Sequence, residues 1–347
     1  MAKLPLQLQE LTSIRAFAAL VVVLFHLFFS GDTSAGVLQT LIADGHLGVD
    51  LFFMLSGFIL SHVYLQAWRE GRFSYAAFLR NRFARLYPLH LVMLLLFVAA
   101  YQIFRLLGGA VDAGVQNWSH FVWHLGLLHA WGLTDGHSWN YPSWSVSAEA
   151  FAYLLFPLTI VLALRLPVVM FGCAALLLFG AASIIALEVE GTPITKLMFN
   201  FGILRVIVEF IIGVAIYLLM ERHRLPDSWI RPTALLSLGT VVTLSMFQAD
   251  ERLIVLALAL LLTAVAHMAL QDRATFLRHP WLVYLGEISY ATYMVHILAL
   301  TSVRSISEKI GFDGSVVASI ATLIAIYAGS VVLYHTVERP GRRLLRA

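Results

Sequence analysis

Long apolar runs alternate with short polar segments along almost the whole chain. About 20 helical residues are needed to cross the ~30 Å hydrocarbon core of a bilayer, and runs of roughly that length occur ten times. Their predicted bounds are 11–29, 47–66, 87–107, 145–164, 167–187, 198–220, 233–248, 253–270, 283–302 and 316–336. The pattern predicts an all-α, polytopic membrane bundle of about ten transmembrane helices, folded as a single membrane-embedded domain over residues 1–347.

The composition also indicates a membrane protein. Of the 347 residues, 60% are hydrophobic and only 12% are charged, whereas soluble domains contain about 25% charged residues. We therefore predict a multi-pass protein of the cell membrane (inner or plasma membrane), with the lipid bilayer as its surroundings. The net charge of +3 is explained by membrane topology, so no nucleic-acid partner is expected.

The positive charges are distributed unevenly between the segments that join the predicted helices. An even number of helices places both termini on one side, and that side is the cytoplasm if the basic segments lie inside. The inner segments then hold sixteen Lys and Arg residues and the outer segments hold five. This orientation places Arg15 near the cytoplasmic face and His26 toward the outer half of the membrane.

The first apolar run contains both of these ionisable residues. Arg15 and His26 are eleven positions apart, which is about three helical turns plus 20°, so both lie on one face with a rise of roughly 16 Å between them. Ionisable side chains inside membrane helices are costly and usually mark functional sites. The run therefore predicts a fixed cation near one membrane surface and a titratable base farther across.

The first inner loop, FLRNRFARLYP, carries a second group of cations. Arg82 and Arg85 are at i, i+3, and guanidinium forks suit the geometry of phosphate. Topogenic charge explains this loop equally well when the loop is taken alone. Arg15 at the same membrane face makes a phosphorylated cytosolic ligand the better interpretation.

Three later segments carry candidate site residues. Glu149, in YPSWSVSAEAFAYLLFP, lies about one turn inside the fourth predicted helix, where its carboxylate could bond His26 and fix the imidazole tautomer. The alternative for Glu149 is a buried helix cap or a partner of an arginine. Asp50 is either a cap or a site residue, and His296, one turn after Tyr293, is either structural or catalytic.

Two further polar sets have simpler explanations. Arg205 and Glu209 are at i, i+4 on the sixth predicted helix and are interpreted as an internal ion pair. His120 and His124 have the same spacing in the outer loop 108–144, which is rich in Trp and His. Because no HExxH motif and no third ligand accompany them, the sequence predicts no metal site.

Six stretches follow one another in a fixed order between Leu11 and Leu344. They are LTSIRAFAALVVVLFH, GVDLFFMLSGF, FLRNRFARLYP, SWSVSAEAFAYLLFP, LGEISYATYMVH and VERPGRRL. In this order they resemble the acyltransferase 3 family of integral membrane acyltransferases, in its stand-alone form without an SGNH hydrolase-like domain. The resemblance implies transfer of an acyl group, commonly acetyl from cytosolic acetyl-CoA, to a hydroxyl of a carbohydrate or similar acceptor.

The resemblance also assigns residues. The Arg-x10-His pair of the family falls on Arg15 and His26, its RxxR on Arg82 and Arg85, and its SWSLxxE glutamate on Glu149. The resulting hypothesis is a membrane O-acyltransferase with acyl-CoA as co-substrate and no bound cofactor. The three arginines bind the acyl donor, and His26, oriented by Glu149, is the general base for the hydroxyl of a carbohydrate or glycolipid acceptor reached from the outer side.

Other residues are candidates for lining this site. They are Asp50, Trp144, Ser145, Ser147, Tyr293 and His296. The sequence leaves open whether transfer is direct or passes through an acyl group on Ser145, Ser147 or His26. It also leaves open whether Tyr293, Trp144 or a backbone amide stabilises the oxyanion.

Two alternatives to an enzyme were weighed. A proton-coupled transporter would also place Arg, His, Asp and Glu inside a helical bundle, but no inverted repeat is visible in the sequence. A passive assembly partner for polysaccharide export would not explain Arg15 and His26 on one face of the first helix. The enzyme and the carrier are distinguished by turnover, because only the enzyme releases free thiol.

Overall fold

The computed structural model describes residues 8–29, 31–33, 36–134, 136–270, 275–311 and 315–346. The α-helices are α1 (Gln9–Phe28), α2 (Val37–Ala43), α3 (Gly48–Arg69), α4 (Tyr75–Leu106), α5 (Trp118–Leu125), α6 (Ser143–Arg165), α7 (Val168–Glu190), α8 (Gly202–Arg222), α9 (Asp227–Met246), α10 (Glu251–Leu270), α11 (Pro280–Glu287), α12 (Ser289–Lys309), α13 (Val316–Leu333) and α14 (Arg339–Leu345). Three 3₁₀ turns and a π-helix (Tyr334–Glu338) join some of them. The described residues contain no strand, so the all-α prediction is confirmed.

Every predicted apolar run coincides with a helix, but not all of these helices are apolar enough to span a membrane. Eight helical segments of the described chain qualify by length and composition, and the pair α11 and α12, bent by 61°, counts as a ninth if it is one span. Helix α9 is not among them and carries Asp227, Arg231 and Pro232 in its first two turns. The multi-pass membrane bundle is confirmed, while the number ten and the shared side of the termini stay predictions.

The chain groups into two compact units that alternate along the sequence. The first unit comprises Met1–Phe73, Leu155–Lys196 and Leu204–Glu287, and the second comprises Ser74–Leu154, Leu197–Ile203 and Ile288–Ala347. Among the predicted site residues, Arg15, His26 and Asp50 belong to the first unit. The others belong to the second: Arg82, Arg85, Trp144, Ser145, Ser147, Glu149, Tyr293 and His296.

In the first unit, α3 and α8 cross with their backbones in contact. A Cβ atom added to Gly57 would lie 2.0 Å from the Phe210 carbonyl oxygen, and one added to Gly213 would lie 1.9 Å from that of Met54. Membrane helices associate through such small residues because close backbone approach maximises van der Waals packing. The two glycines therefore fix where α3, which begins with the GVDLFF stretch, meets α8.

In the second unit, the loop between α4 and α6 is tied to the start of α6. The Ser147 hydroxyl donates to the Leu127 carbonyl oxygen at 2.7 Å and accepts from the Ala130 N–H at 3.1 Å. The indole N–H of Trp131 donates to the Ser147 carbonyl oxygen at 3.0 Å. These bonds fix the loop around Leu127, Ala130 and Trp131 against the first turns of α6.

Candidate active site

The second unit contains a cavity of about 450 Å³ between α4, the loop that follows α5, and α6. This volume is within the range of about 300–1,000 Å³ that is typical of small-molecule sites. Its lining is mainly apolar, and the polar groups in it come from Arg82, Tyr87, Trp131 and Tyr153. An apolar cavity with one cation in its wall suits a ligand that has a long apolar part and an anionic part.

Two of the predicted site residues meet at this cavity through a tyrosine. The Arg82 guanidinium carbon lies 6.0 Å from the centre of the Tyr153 ring, at the outer limit of a cation–π contact. The Tyr153 hydroxyl donates to Glu149 Oε1 at 2.6 Å, one helical turn away on α6. Tyr153, which is not among the predicted site residues, thus contacts both Arg82 and Glu149.

Arg85 has a different environment from Arg82. Its guanidinium forms an ion pair with Glu338, which is 1% exposed and also pairs with Arg342. The Arg85 guanidinium carbon lies 5.0 Å from the centre of the Tyr290 ring. Arg85 is therefore part of an ion pair with the buried Glu338, and its role in donor binding stays a prediction.

The remaining predicted residues of the second unit are buried and hydrogen bonded. Ser145 Oγ lies 3.0 Å from the Pro142 carbonyl oxygen and 2.9 Å from the Tyr293 hydroxyl, which itself donates to the same carbonyl at 3.0 Å. His296 donates through Nδ1 to the Tyr293 carbonyl oxygen at 2.5 Å. Trp144 is 3% exposed. These contacts hold α12 against the start of α6.

In the first unit, the hydrogen bond of His26 defines its tautomer. Nδ1 lies 2.9 Å from the Val22 carbonyl oxygen, which can only accept, so Nδ1 carries the proton and the lone pair of the neutral ring is on Nε2. The Val22 carbonyl oxygen therefore orients the imidazole through Nδ1. His26 and Glu149 belong to different units, so their pairing stays a prediction, as does donor binding by the partly exposed Arg15.

Asp50 lies in a fully buried ion pair. Arg205 donates to Asp50 Oδ2 at 2.5 Å and to Oδ1 at 3.1 Å, whereas Glu209 Oε1 is 3.8 Å from the Arg205 Nε atom. The expected ion pair of Arg205 with Glu209 on its own helix is therefore present, and Asp50 on α3 is a second, closer partner. The three side chains are at most 2% exposed.

The histidines of the segment between α4 and α6 form a buried stack. The rings of His124 and His129 are parallel, with centres 3.8 Å apart, and His124 Nε2 and His120 Nδ1 lie 3.0 and 3.3 Å from the Ser138 hydroxyl. Burial lowers the pKa of His129 to about 3 and also lowers the pKa of His124. Within the described ranges, no group of three or more His, Cys, Asp or Glu residues could hold a metal ion.

The sequence matches one family over nearly its whole length. Residues 8–335 match the acyltransferase domain of the acyltransferase 3 family, so the chain belongs to this family and is an acyltransferase. The enzyme is thereby favoured over the carrier. No solved structure matches the chain.

Individual relatives agree with this assignment. The chain is 33% identical over 371 residues to the acyltransferase MdmB of Streptomyces mycarofaciens, covering 98% of this chain and 92% of MdmB. It is 28% identical to the peptidoglycan O-acetyltransferase OatA of Listeria monocytogenes, over 43% of this chain and 23% of OatA. With the O-acetyltransferase OatA of Staphylococcus aureus the identity is 26%, over 45% of this chain and 25% of that protein. The chain thus matches about a quarter of the length of these OatA proteins.

Proposed function

We propose that this acyltransferase of the cell membrane moves an acetyl group from cytosolic acetyl-CoA to a hydroxyl of a carbohydrate-type acceptor reached from the outer side. The observation that carries the proposal is the cavity of the second unit, whose wall contains Arg82 and Tyr153, with Glu149 accepting a hydrogen bond from the Tyr153 hydroxyl. The acyl-CoA is a co-substrate.

The cavity suits the donor because acyl-CoA is apolar along its acyl and pantetheine part and anionic at its phosphates. In the proposal, Arg82 binds a phosphate through its guanidinium, which presents donors in a planar fork. The apolar walls formed by α4 and α6 take the arm, from which water is excluded. The carboxylate of Glu149, held by the Tyr153 hydroxyl, can accept a hydrogen bond from a polar group of the bound acyl-CoA or of the carbohydrate.

His26 is the proposed base. Its Nε2 lone pair takes the proton of the acceptor hydroxyl while the hydroxyl oxygen attacks the thioester carbonyl. The carbon–sulfur bond then breaks, and the departing thiolate takes the proton from His26, so the reaction needs no further proton donor. The hydrogen bond from Nδ1 to the Val22 carbonyl oxygen keeps the ring in this tautomer.

The acceptor class is supported by the relatives. OatA of Listeria monocytogenes is a peptidoglycan O-acetyltransferase by name, and peptidoglycan is a carbohydrate polymer outside the cytoplasm. The name of MdmB specifies only an acyltransferase. We accordingly propose a carbohydrate hydroxyl as the acceptor and acetyl as the transferred group.

Thiol release from acetyl-CoA by the purified protein in nanodiscs, with donor affinity measured separately, tests this proposal. We expect release by the wild type, none by His26→Ala, and a weaker donor affinity, by about tenfold or more, for Arg82→Gln because a charge-assisted hydrogen bond to phosphate is lost. His267→Gln is the matched control for His26, because His267 also bonds a carbonyl four residues earlier through Nδ1, at 2.8 Å. Arg343→Gln, an exposed arginine of α14, is the control for Arg82.

Each outcome bears on a separate part of the proposal. If the folded wild type neither binds acetyl-CoA nor releases thiol in the presence of membrane glycans, the donor assignment is wrong. If His26→Ala turns over like the wild type, another group is the base. If Arg343→Gln weakens binding as much as Arg82→Gln does, the effect is general surface charge and the cavity is not the donor site.

A further inference from the structure

A second imidazole lies beside His26 in the first unit. The 3₁₀ turn Asp44–Leu47 packs against α1 at glycines: a Cβ on Gly45 would lie 2.5 Å from the Val21 carbonyl oxygen, so any other residue would push the turn away. The Phe25 ring contacts both imidazoles, with its centre 5.3 Å from the His46 ring and 5.0 Å from the His26 ring. The turn therefore places His46 next to the proposed base.

Both ring nitrogens of His46 face oxygen atoms that accept hydrogen bonds. Nδ1 lies 3.1 Å from the Ala43 carbonyl oxygen, and Nε2 lies 3.5 Å from Glu251 Oε2. The contact with Glu251 is at ion-pair distance, without hydrogen-bond geometry. A positive charge on the His46 ring would therefore lie directly beside a carboxylate.

Glu251, the first residue of α10, is itself held in place. Its Oε1 lies 3.2 Å from the Lys196 ammonium, and its other oxygen accepts from the Thr195 hydroxyl. The side chain is 16% exposed. Asp44 also interacts electrostatically with His46, and His46 with His26. A carboxylate fixed by two other groups can hold an imidazole in one position, as it does in catalytic triads.

We propose that His46, held by Glu251, supplies the positive charge that stabilises the oxyanion formed during acyl transfer at His26. This inference rests on the proposed function. When the acceptor oxygen bonds to the thioester carbon, the carbonyl oxygen becomes negative until the carbon–sulfur bond breaks. A preorganised cation in a site with little water stabilises that charge strongly. Glu251 is a positioning residue, and neither residue gains or loses a proton.

The test compares His46→Gln, His46→Lys and Glu251→Gln with the wild type, measuring kcat for thiol release, acetyl-CoA affinity and thermal unfolding in nanodiscs. We expect His46→Gln to lower kcat by about 10- to 100-fold with donor affinity and unfolding temperature unchanged. His46→Lys should recover part of this loss because it restores a cation. Glu251→Gln should lower kcat by a smaller factor, since His46 remains present but is held less firmly.

His267→Gln serves again as the control, because it removes a buried imidazole of the same unit that the described contacts do not connect to His26. If His46→Gln folds and keeps the wild-type kcat, the inference is wrong and the proposed function stands. If His46→Lys is as slow as His46→Gln, the role of His46 is shape and not charge, which also overturns it. If His46→Gln fails to fold, unchanged kcat in Glu251→Gln contradicts the inference. A folded wild type that releases no thiol overturns both proposals.

Discussion

Arg82 and Arg205 are both arginines inside apolar helices with a carboxylate nearby, yet their surroundings differ. In the first unit, Arg205 is 2% exposed and bonds Asp50 directly through two nitrogens, with Glu209 close by. In the second unit, Arg82 lies in the wall of a cavity beside the Tyr153 ring, whose hydroxyl donates to Glu149.

The difference between Arg205 and Arg82 indicates how an arginine that stabilises the fold can be distinguished from one that is available to a ligand. A buried guanidinium must recover its hydration energy from neighbouring groups, and Arg205 does so within the protein. Arg82 adjoins about 450 Å³ of space that a ligand can fill. The residue types are the same in both places, so the degree of burial and the cavity are the features that separate them.

The largest loss of stability is expected from removing Arg205 from its buried cluster with Asp50 and Glu209. Arg205→Met leaves Asp50 and Glu209 buried without their cation, which should cost about 3–5 kcal/mol of stability. Arg82→Met should cost less stability than Arg205→Met, because the Arg82 side chain is only partly buried and lies at a cavity. Denaturant unfolding of both variants in detergent, monitored by tryptophan fluorescence, measures the difference.

The double variant Arg205→Met/Asp50→Leu is the control for this comparison. Replacing a buried ion pair by apolar side chains is often neutral or stabilising, so the second substitution should restore much of the lost stability. Equal stability of Arg205→Met and the wild type would contradict the structural role of Arg205. A loss of stability in Arg82→Met as large as that in Arg205→Met would remove the distinction between the two sites.

A smaller loss of stability is expected at acid pH, because the buried histidines of the second unit resist protonation. Burial holds the pKa of His129 at about 3, well below its ordinary 6.5. The unfolded chain therefore binds a proton that the folded chain does not, and stability is lost as the pH falls from about 6.5 toward 3. At pH 5 this one group should cost about 2 kcal/mol, measured as the change in denaturant midpoint between pH 7.5 and pH 5.

His129→Phe tests the source of this acid effect. The variant keeps an aromatic ring in the stack with His124 but cannot bind a proton, so its stability should depend less on pH, although it loses the contact with the Ser143 hydroxyl. A pH dependence identical to that of the wild type would show that His129 is not responsible. Arg82→Gln should lose as much stability at acid pH as the wild type does, because Arg82 is not part of the histidine stack.

Local patterns predicted most of the fold. Apolar runs of about 20 residues located the helices because burial in a bilayer demands a continuous apolar surface. The i, i+4 spacing correctly indicated the ion pair of Arg205 with Glu209, but it gave no sign of Asp50, which is 155 residues away and bonds Arg205 at a shorter distance. A sequence pattern reports neighbours on one helix and not contacts between distant segments.

The candidate site was predictable to a lesser degree. The sequence identified Arg82 and Glu149 as candidate site residues. The contact of Tyr153 with both depends on how α4 packs against α6. The pair Arg85 and Glu338 links two of the stretches that carried the family resemblance, and their opposite charges were the available signal. His46 and Glu251 gave no such signal, because a histidine in a glycine-rich turn and a glutamate at a helix start are each common in unrelated roles.

The smallest expected effect separates the role of the Tyr153 hydroxyl from that of the Tyr153 ring. Tyr153→Phe removes the hydroxyl that donates to Glu149 but keeps the ring beside Arg82, so donor affinity should stay within about twofold. The turnover number should fall by roughly fivefold, corresponding to about 1 kcal/mol for one hydrogen bond. Tyr153→Ala also removes the ring and should weaken acetyl-CoA binding, because Arg82 loses the surface against which it lies. If Tyr153→Phe weakens binding as much as Arg82→Gln does, the hydroxyl contacts the donor, and Glu149 then belongs to the donor site together with Arg82.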